Sequence, residues 1–393
     1  MMPTKSETRR NTMLNVVFLV LSFIPHIGSL YIIPPLLLVY LIASEKPKFL
    51  NNGVAVMMSV WIVLSFVINA IVSNVDSKMI VRSVMTIGIF LFFPFVKSFR
   101  IYKTTLLIAT LYVLFSQMCY VLHIGPAIVF FEAAYPIFDD RYLQLLDYVR
   151  DNAEVGNYSV RYAGLFHNAN ICSGYYSILM AMVCIEFDSL IKDRMALVST
   201  VLITFGVVLC GSRTGMFTII CIILFRFIVS TRKKGNVMIF LIVPILLTGV
   251  IFLYSHVSDS SLRVFKLEEG LDDSMGTKFD MLFRYLSNDA GVKEWVFGGF
   301  NLDMSKYQMD NDIGYAIQCF GFVFLFMLIA FFWGIYRKLR DRYVIIMIPL
   351  LWCLSATIIF NYRFIMVYFM LLSLYYQRNL EALALKRNNN SSI

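Results

Sequence analysis

The feature that most limits how this chain can fold is a series of long apolar runs separated by short, charged connections. A helix needs about 20 apolar residues to cross the hydrocarbon core of a membrane. Hydrophobic residues fill 59% of the 393 positions and charged residues only 15%, whereas about half of a soluble protein is apolar. The sequence therefore predicts an all-α, polytopic integral membrane protein with about 12 transmembrane helices, in a single multi-pass domain over residues 1–393.

The predicted spans differ in how clearly they are bounded. Proline removes a backbone donor and interrupts a helix, so the first two spans, which contain Pro25, Pro34 and Pro35, could instead form one hairpin. The spans are predicted at 13–27, 29–43, 53–72, 79–96, 104–124, 168–186, 195–211, 214–230, 237–255, 313–335, 343–360 and 364–377.

Lysine and arginine are distributed unevenly among the connections between spans. In short loops they mark the cytoplasmic side of a membrane, and most of the 34 Lys and Arg residues fall in alternate connections, starting with the amino-terminal segment. This pattern predicts that both termini are cytoplasmic. It also accounts for the formal net charge of +9, which is therefore not a sign of nucleic-acid binding.

Two predicted external loops, about 125–167 and about 256–312, are much longer than the others. Loops this long are seldom mere connections, and an amphipathic stretch of the first, 136–155, is expected to lie along the membrane surface. Neither loop is long enough for a separate enzyme domain, so both should fold onto the bundle and cover an outward-facing cleft. The cytoplasmic segments are too short for a nucleotide-binding fold, so any chemistry is expected outside.

Arg161 opens a motif that leads into the sixth predicted span, Arg-Tyr-Ala-Gly-Leu-Phe-His-Asn-Ala-Asn. A guanidinium is always protonated and offers a planar fork of donors. Arg161 could therefore grip a diphosphate while Asn168 and Asn170 bind sugar hydroxyls. The alternative is an arginine that reaches the lipid headgroups, with the asparagines serving as helix caps.

Arg213 stands in a short external loop, between Gly211 and Gly215. The glycines let the backbone turn tightly and approach a ligand closely. A lone cation at the outer rim of a membrane usually has an anion to hold, although it could also face lipid headgroups. Arg363, in another short external loop, shows the same pattern.

The acidic block Asp310-Asn311-Asp312, just before the tenth predicted span, is the best external source of a carboxylate. Asp310 or Asp312 could take a proton from an acceptor hydroxyl, or the block could cap the helix, for which Asp and Asn are favoured. Arg284 in the same loop is a third candidate cation or an ordinary surface arginine. His167 could orient a hydroxyl, but the four histidines lack metal-site spacing, so we expect no metal and no other cofactor.

Together these features resemble the O-antigen polymerase and ligase superfamily, in particular the Wzy-like polysaccharide polymerases. The resemblance lies in the span number, the two long loops, and three blocks: the motif that begins at Arg161, the sequence Gly-Ser-Arg-Thr-Gly that ends at Gly215, and the acidic block followed by Gly321. In ligases of the superfamily the last block generally starts with a histidine. This chain has Asp310 there, which favours a polymerase.

The resemblance implies a metal-independent, inverting glycosyltransferase with a GT-C-like helical bundle in the bacterial inner (plasma) membrane. It would join undecaprenyl-diphosphate-linked oligosaccharide units on the outer face into a surface polysaccharide, such as a capsule or the O-antigen of lipopolysaccharide. Its partners would be the lipid-linked oligosaccharide, membrane lipids and a chain-length regulator. By position, Arg161 and Arg213 would bind the donor diphosphate, and the acidic block with Asn311 would lie near the acceptor.

Three other functions are compatible with the sequence, of which a non-catalytic membrane scaffold has no positive evidence in its favour. An O-antigen ligase would use the same lipid-linked donor. A lipid-linked oligosaccharide flippase would also contact the diphosphate, but transporters usually carry charges halfway along their spans, and the predicted spans of this chain are nearly free of charge.

Overall fold

Helices form all the regular structure in the part of the chain that the structure describes, and no strand occurs within it. The all-α prediction is therefore confirmed for these residues. The structure is a computed structural model, and it describes residues 5–24, 29–45, 53–72, 77–92, 99–122, 124–133, 162–166, 168–187, 193–231, 271–288, 290–299, 311–337, 339, 343–354 and 358–390.

The α-helices are numbered in chain order. They are α1 (Lys5–Phe23), α2 (Ile33–Glu45), α3 (Gly53–Val72), α4 (Ser77–Phe92), α5 (Lys103–Val121), α6 (Gly125–Ala133), α7 (Ala169–Glu186), α8 (Arg194–Leu209), α9 (Arg213–Thr231), α10 (Leu271–Asn288), α11 (Val292–Phe297), α12 (Asp312–Tyr336), α13 (Tyr343–Met347) and α14 (Tyr362–Asn390). Short 3-10 helices occupy Ser29–Ile32, Gly164–Phe166 and Ile348–Leu354.

Four of the described helices, α3, α5, α7 and α12, are long and apolar enough to cross a membrane. Helix α3 coincides with the predicted span 53–72, and the other three agree with predicted spans to within a few residues. Shorter apolar helices occur at Ile33–Ser44, Arg194–Leu209 and Thr214–Arg226. By length and composition, the four longer helices are suited to cross a membrane.

Proline explains one departure of the helices from the predicted spans. The predicted span 343–360 is divided, because α13 ends at Met347 and a 3-10 helix follows that contains Pro349. Proline cannot donate the hydrogen bond that a continuous α-helix needs and clashes with the preceding turn. The first two predicted spans belong to two separate helices, α1 and α2. The predicted span 237–255 and the amphipathic stretch 136–155 lie outside the described residues.

The chain divides into two compact units. The first contains α1 and α5 to α9, and the second contains α2 to α4, α10 to α12 and α14. In the first unit α7 is the central helix, buried along almost its whole length and packed against α5, α8 and α9. In the second unit α12 packs against α3 and α11, and α14 packs against α4.

Helix α12 of the second unit is broken at Gly321, which has φ of 80°. The break frees backbone carbonyl groups, which neighbouring elements then bind. The indole Nε1 of Trp61 on α3 donates to the carbonyl of Phe320 at 3.0 Å. The N–H of Gly299, which follows α11, donates to the carbonyl of Gln318 at 2.8 Å. Donors from α3 and from the chain after α11 thus replace hydrogen bonds that α12 loses at the break.

Candidate functional site

In the first unit, the segment that follows Arg161 is bonded to the segment that precedes Arg213. Tyr162 donates its backbone N–H to the carbonyl of Leu209 over 3.0 Å. Burial in this segment raises the pKa of the Tyr162 phenol. Arg161 and the side chain of Arg213 themselves lie outside the described residues. The bond nevertheless joins two stretches of sequence that contain the candidate arginines.

A second contact joins the amino-terminal ends of α7 and α9. The Ser212 hydroxyl, one residue before Arg213, donates to Asn170 Oδ1 over 3.4 Å. The same hydroxyl accepts the N–H of Gly215 at 3.3 Å, which caps the first turn of α9. Gly215 permits the close approach, since a Cβ at this position would lie 2.8 Å from the Ser173 side chain on α7. The two helices therefore begin side by side.

Asn168 starts α7 as its N-cap. Its Oδ1 accepts the N–H groups of Asn170 at 2.8 Å and Ile171 at 3.4 Å, while the residue as a whole is exposed. The amino-terminal end of an α-helix carries a partial positive charge. Two such ends adjoin here, and Arg213 is the first residue of α9. The arrangement favours an anion at this end of the two helices.

Gln117 on α5 connects both candidate segments through one carboxamide. Its Nε2 lies 2.8 Å from the carbonyl oxygen of Tyr162, 3.1 Å from that of Gly206 and 3.2 Å from the Sγ of Cys210, and donates to these atoms. Its Oε1 accepts the hydroxyl of Tyr176 at 2.7 Å. The side chain of Gln117 is completely buried. One polar group thus binds the start of the first segment and the chain just before the second.

Ser116 and two glycines shape the backbone around this carboxamide. Gly164 has φ of 55°, and a Cβ at that position would overlap the Ser116 hydroxyl. The same hydroxyl accepts the N–H of Leu165 at 3.3 Å. At Gly206 a Cβ would overlap the ring of Tyr176. Both glycines therefore leave space that neighbouring polar side chains occupy.

In the second unit, Asp312 binds the loop that leads into α14. Its Oδ2 accepts the N–H groups of Ile358 at 2.7 Å and Ile359 at 2.8 Å, and its Oδ1 accepts that of Phe360 at 3.3 Å. The residue is 1% exposed. Because both carboxylate oxygens accept backbone N–H groups, Asp312 holds the start of α12 against this loop.

Asparagines cap the two helices that Asp312 connects. Asn311 Oδ1 accepts the N–H of Gly314 at 2.6 Å at the start of α12, and Asn361 Oδ1 accepts that of Phe364 at 3.2 Å at the start of α14. Arg363, the second residue of α14, is 1% exposed. The guanidinium of Arg363 is therefore enclosed by protein and does not face lipid headgroups.

The remaining predicted site residues are placed as follows. Arg284 on α10 is exposed and forms an ion pair with Asp280, one turn earlier, over 2.8 Å. Exposed pairs of this kind contribute little to stability, and Arg284 stays accessible from solvent. Asp310 and His167 lie outside the described residues.

Sequence reasoning missed Gln117, Tyr176 and Ser212. The available signal for Gln117 was a lone carboxamide in the mostly apolar predicted span 104–124, because polar groups at membrane depth are costly and often functional. Tyr176 has no such signal, since tyrosines are common in this chain. Ser212 stands next to Arg213 and could have been recognised as a helix cap.

This chain was compared with family models and with curated proteins. No family model matches it, and no curated protein matches it. The resemblance to the O-antigen polymerase and ligase superfamily therefore stays a prediction that depends on the motif residues.

Proposed function

We propose that this protein polymerises undecaprenyl-diphosphate-linked oligosaccharide units into a surface polysaccharide on the outer face of the bacterial inner membrane. It would act as a metal-independent, inverting glycosyltransferase, with about 12 spans in a GT-C-like bundle. The donor would be the growing lipid-linked chain, and the acceptor would be the next lipid-linked unit.

One observation carries the proposal. The segments that contain Arg161 and Arg213 are far apart in sequence, yet Tyr162 bonds to Leu209 at 3.0 Å and Ser212 bonds to Asn170 at 3.4 Å. Two guanidinium groups carried by adjoining segments can bind one diphosphate. The amino-terminal ends of α7 and α9, which Ser212 and Asn170 join, add positive potential at this end of the two segments. A diphosphate of a lipid carrier is an anion of this kind.

The chemistry of the proposal is a direct displacement. The anomeric carbon of the donor loses its bond to the diphosphate oxygen and forms a bond to the acceptor hydroxyl oxygen, with inversion. The arginines neutralise the negative charge that grows on the leaving diphosphate, and the site holds the two reacting atoms in line. Cleavage of the phosphoester supplies the driving force, so no nucleotide is required.

The proton of the acceptor hydroxyl needs a base. Of the two carboxylates in the acidic block, Asp310 is the better candidate, because both oxygens of Asp312 accept backbone N–H groups at 2.7 to 3.3 Å. A general base must reach the proton that it removes. We therefore assign Asp312 to the structure of the second unit, which leaves Asp310 as the candidate base of the acidic block.

The test is elongation by the purified protein. In liposomes supplied with lipid-linked repeat units and no ion gradient, the wild type is expected to make longer lipid-linked chains. Arg213→Ala should lose at least about 100-fold in rate, because a contact to charge in the transition state disappears. Arg378→Ala removes an arginine that pairs with Glu381 at 3.5 Å, and serves as the control that keeps activity.

Two results would contradict the proposal. One is translocation of the lipid-linked unit without any elongation, which would indicate a flippase. The other is unchanged chain length with Arg213→Ala when the variant is present in the membrane at the wild-type level.

A further inference from the structure

We propose that Gln117 is a positioning residue, whose carboxamide sets the distance between the two arginine-bearing segments. This inference rests on the proposed function, since it assumes that the arginines act on one diphosphate. Gln117 lies within α5, a helix suited to a membrane span, and it belongs to neither motif. Gln117 would act by binding backbone groups of both motif segments.

The first step concerns the residue after Arg161. The backbone of Tyr162 is held on both sides: its carbonyl accepts Gln117 Nε2 at 2.8 Å, and its N–H donates to Leu209 at 3.0 Å. The two bonds hold the peptide groups on either side of the Tyr162 Cα and so restrict the backbone at this residue. The position at which the chain leaves Tyr162 toward Arg161 is therefore defined by Gln117 and Leu209 together.

The second step concerns the turn before Arg213. The same Nε2 lies 3.1 Å from the carbonyl oxygen of Gly206 and 3.2 Å from the Sγ of Cys210, in the last turn of α8 and just beyond it. Cys210 is followed directly by the turn that opens α9. The carboxamide of Gln117 thus fixes the distance between the segment that follows Arg161 and the turn that precedes Arg213.

The third step concerns the orientation of the carboxamide itself. Tyr176 donates to Gln117 Oε1 at 2.7 Å, which directs the Nε2 hydrogens toward the backbone acceptors. The absence of a side chain at Gly206 makes room for the Tyr176 ring. Tyr176 therefore orients the carboxamide of Gln117, and Gln117 in turn positions the motif segments.

Energetics argue against a purely packing role. A carboxamide in a membrane span costs free energy when it is transferred from water, and an apolar side chain of similar size would fill the same space without that cost. A fully satisfied polar network in a low-dielectric interior also fixes a single geometry. A carboxamide at this position fits a need for exact backbone placement.

The first experiment measures backbone placement without reference to activity. Gln117→Met keeps the side-chain length and removes the hydrogen bonds. Hydrogen-deuterium exchange at the Tyr162 and Leu165 amides of the full protein in liposomes should become at least about tenfold faster. Thr110→Val is the matched control: Thr110 lies two turns earlier on α5, is fully buried, and donates its hydroxyl within its own helix, to the carbonyl of Leu106 at 2.9 Å. It should leave exchange at these amides unchanged.

The second experiment measures turnover. Gln117→Met is expected to lower kcat about tenfold or more with little change in KM, because a small displacement of positioned groups mainly affects the transition state. Tyr176→Phe, which removes only the bond to Oε1, should give a smaller loss in the same parameter. Thr110→Val should keep the wild-type kcat.

The outcomes separate the two proposals. Unchanged amide exchange in Gln117→Met would overturn the positioning role, and so would an equal loss of kcat in Thr110→Val. Absence of elongation by the wild type would overturn the polymerase proposal and the catalytic importance of Gln117. The exchange experiment would then still decide whether Gln117 holds the two segments together.

Discussion

At the scale of single residues, burial gives two carboxylates, those of Asp312 and Asp280, different roles. Asp312 is a carboxylate in an acidic block, yet its oxygens bind three backbone N–H groups. Asp280 is an exposed carboxylate on α10 and pairs with Arg284 in solvent. A buried donor that loses its acceptor carries the full desolvation cost, whereas an exposed pair is screened. The two aspartates should therefore respond very differently to substitution.

The prediction for Asp312 concerns stability. Asp312→Ala leaves the N–H groups of Ile358, Ile359 and Phe360 without this acceptor, which should lower the free energy of unfolding by about 3 kcal/mol or more. Asp280→Ala should change it by less than about 1 kcal/mol. Thermal unfolding in detergent, followed by a thiol-reactive dye that labels buried cysteines as they become exposed, measures both. A wild-type melting temperature for Asp312→Ala combined with lost elongation would instead identify Asp312 as the base.

At the scale of elements, glycines decide where helices turn and how closely they approach. Gly321 interrupts α12 with a positive φ, and a Cβ there would overlap the carbonyl of Val296 on α11. Ser65 on α3 donates to the carbonyl of Phe297, and Asn69 donates to that of Gly298 at 3.3 Å. The end of α11 is thus packed into the break in α12. This contact depends on the absence of a side chain at Gly321.

The prediction for α12 compares two glycines of the same helix. Gly321→Ala should destabilise the protein by at least about 1 kcal/mol, because a positive φ is unfavourable for alanine and the added Cβ would overlap the backbone of Val296. Gly334→Ala meets no atom within 4 Å and should be neutral or stabilising by up to about 1 kcal/mol. Melting temperatures of the two variants test the difference. A melting temperature of Gly321→Ala at or above that of Gly334→Ala would show that the break is not required.

At the scale of the whole molecule, the distribution of charge predicts how the chain is inserted. Short loops rich in Lys and Arg stay on the cytoplasmic side of the membrane, and an even number of spans returns the carboxyl terminus to that side. The four described helices suited to a membrane are a subset of the predicted spans. The two long loops, which contain the acidic block and the start of the Arg161 motif, are expected on the outer face.

The prediction for topology uses reporter fusions. A fluorescent protein that folds only in the cytoplasm should fluoresce at either terminus, and alkaline phosphatase should be active when inserted in loops 125–167 and 256–312. Phosphatase inserted between α7 and α8 should be inactive, as the control for a cytoplasmic connection. Activity at that control position together with inactive long loops would show that the predicted orientation is inverted.

Much of the secondary structure could be predicted from the sequence, because apolar composition, proline and helix caps act within a few residues. The span at 53–72, the cap at Asn168 and the helix start next to Arg213 all depend on such local signals. The site is less predictable. Gln117 bonds to groups 45 to 93 positions away, and nothing near it in the sequence indicates those partners.

The sequence by itself determined that the chain is helical and suited to a membrane, because the hydrophobic effect and backbone hydrogen bonding act on each segment separately. It also marked the arginines and the acidic block as candidates. Only the tertiary structure decided that Asp312 binds the loop before α14 and that Tyr162 lies against Leu209. Those pairings depend on how side chains pack between distant segments, and packing is not contained in any local pattern.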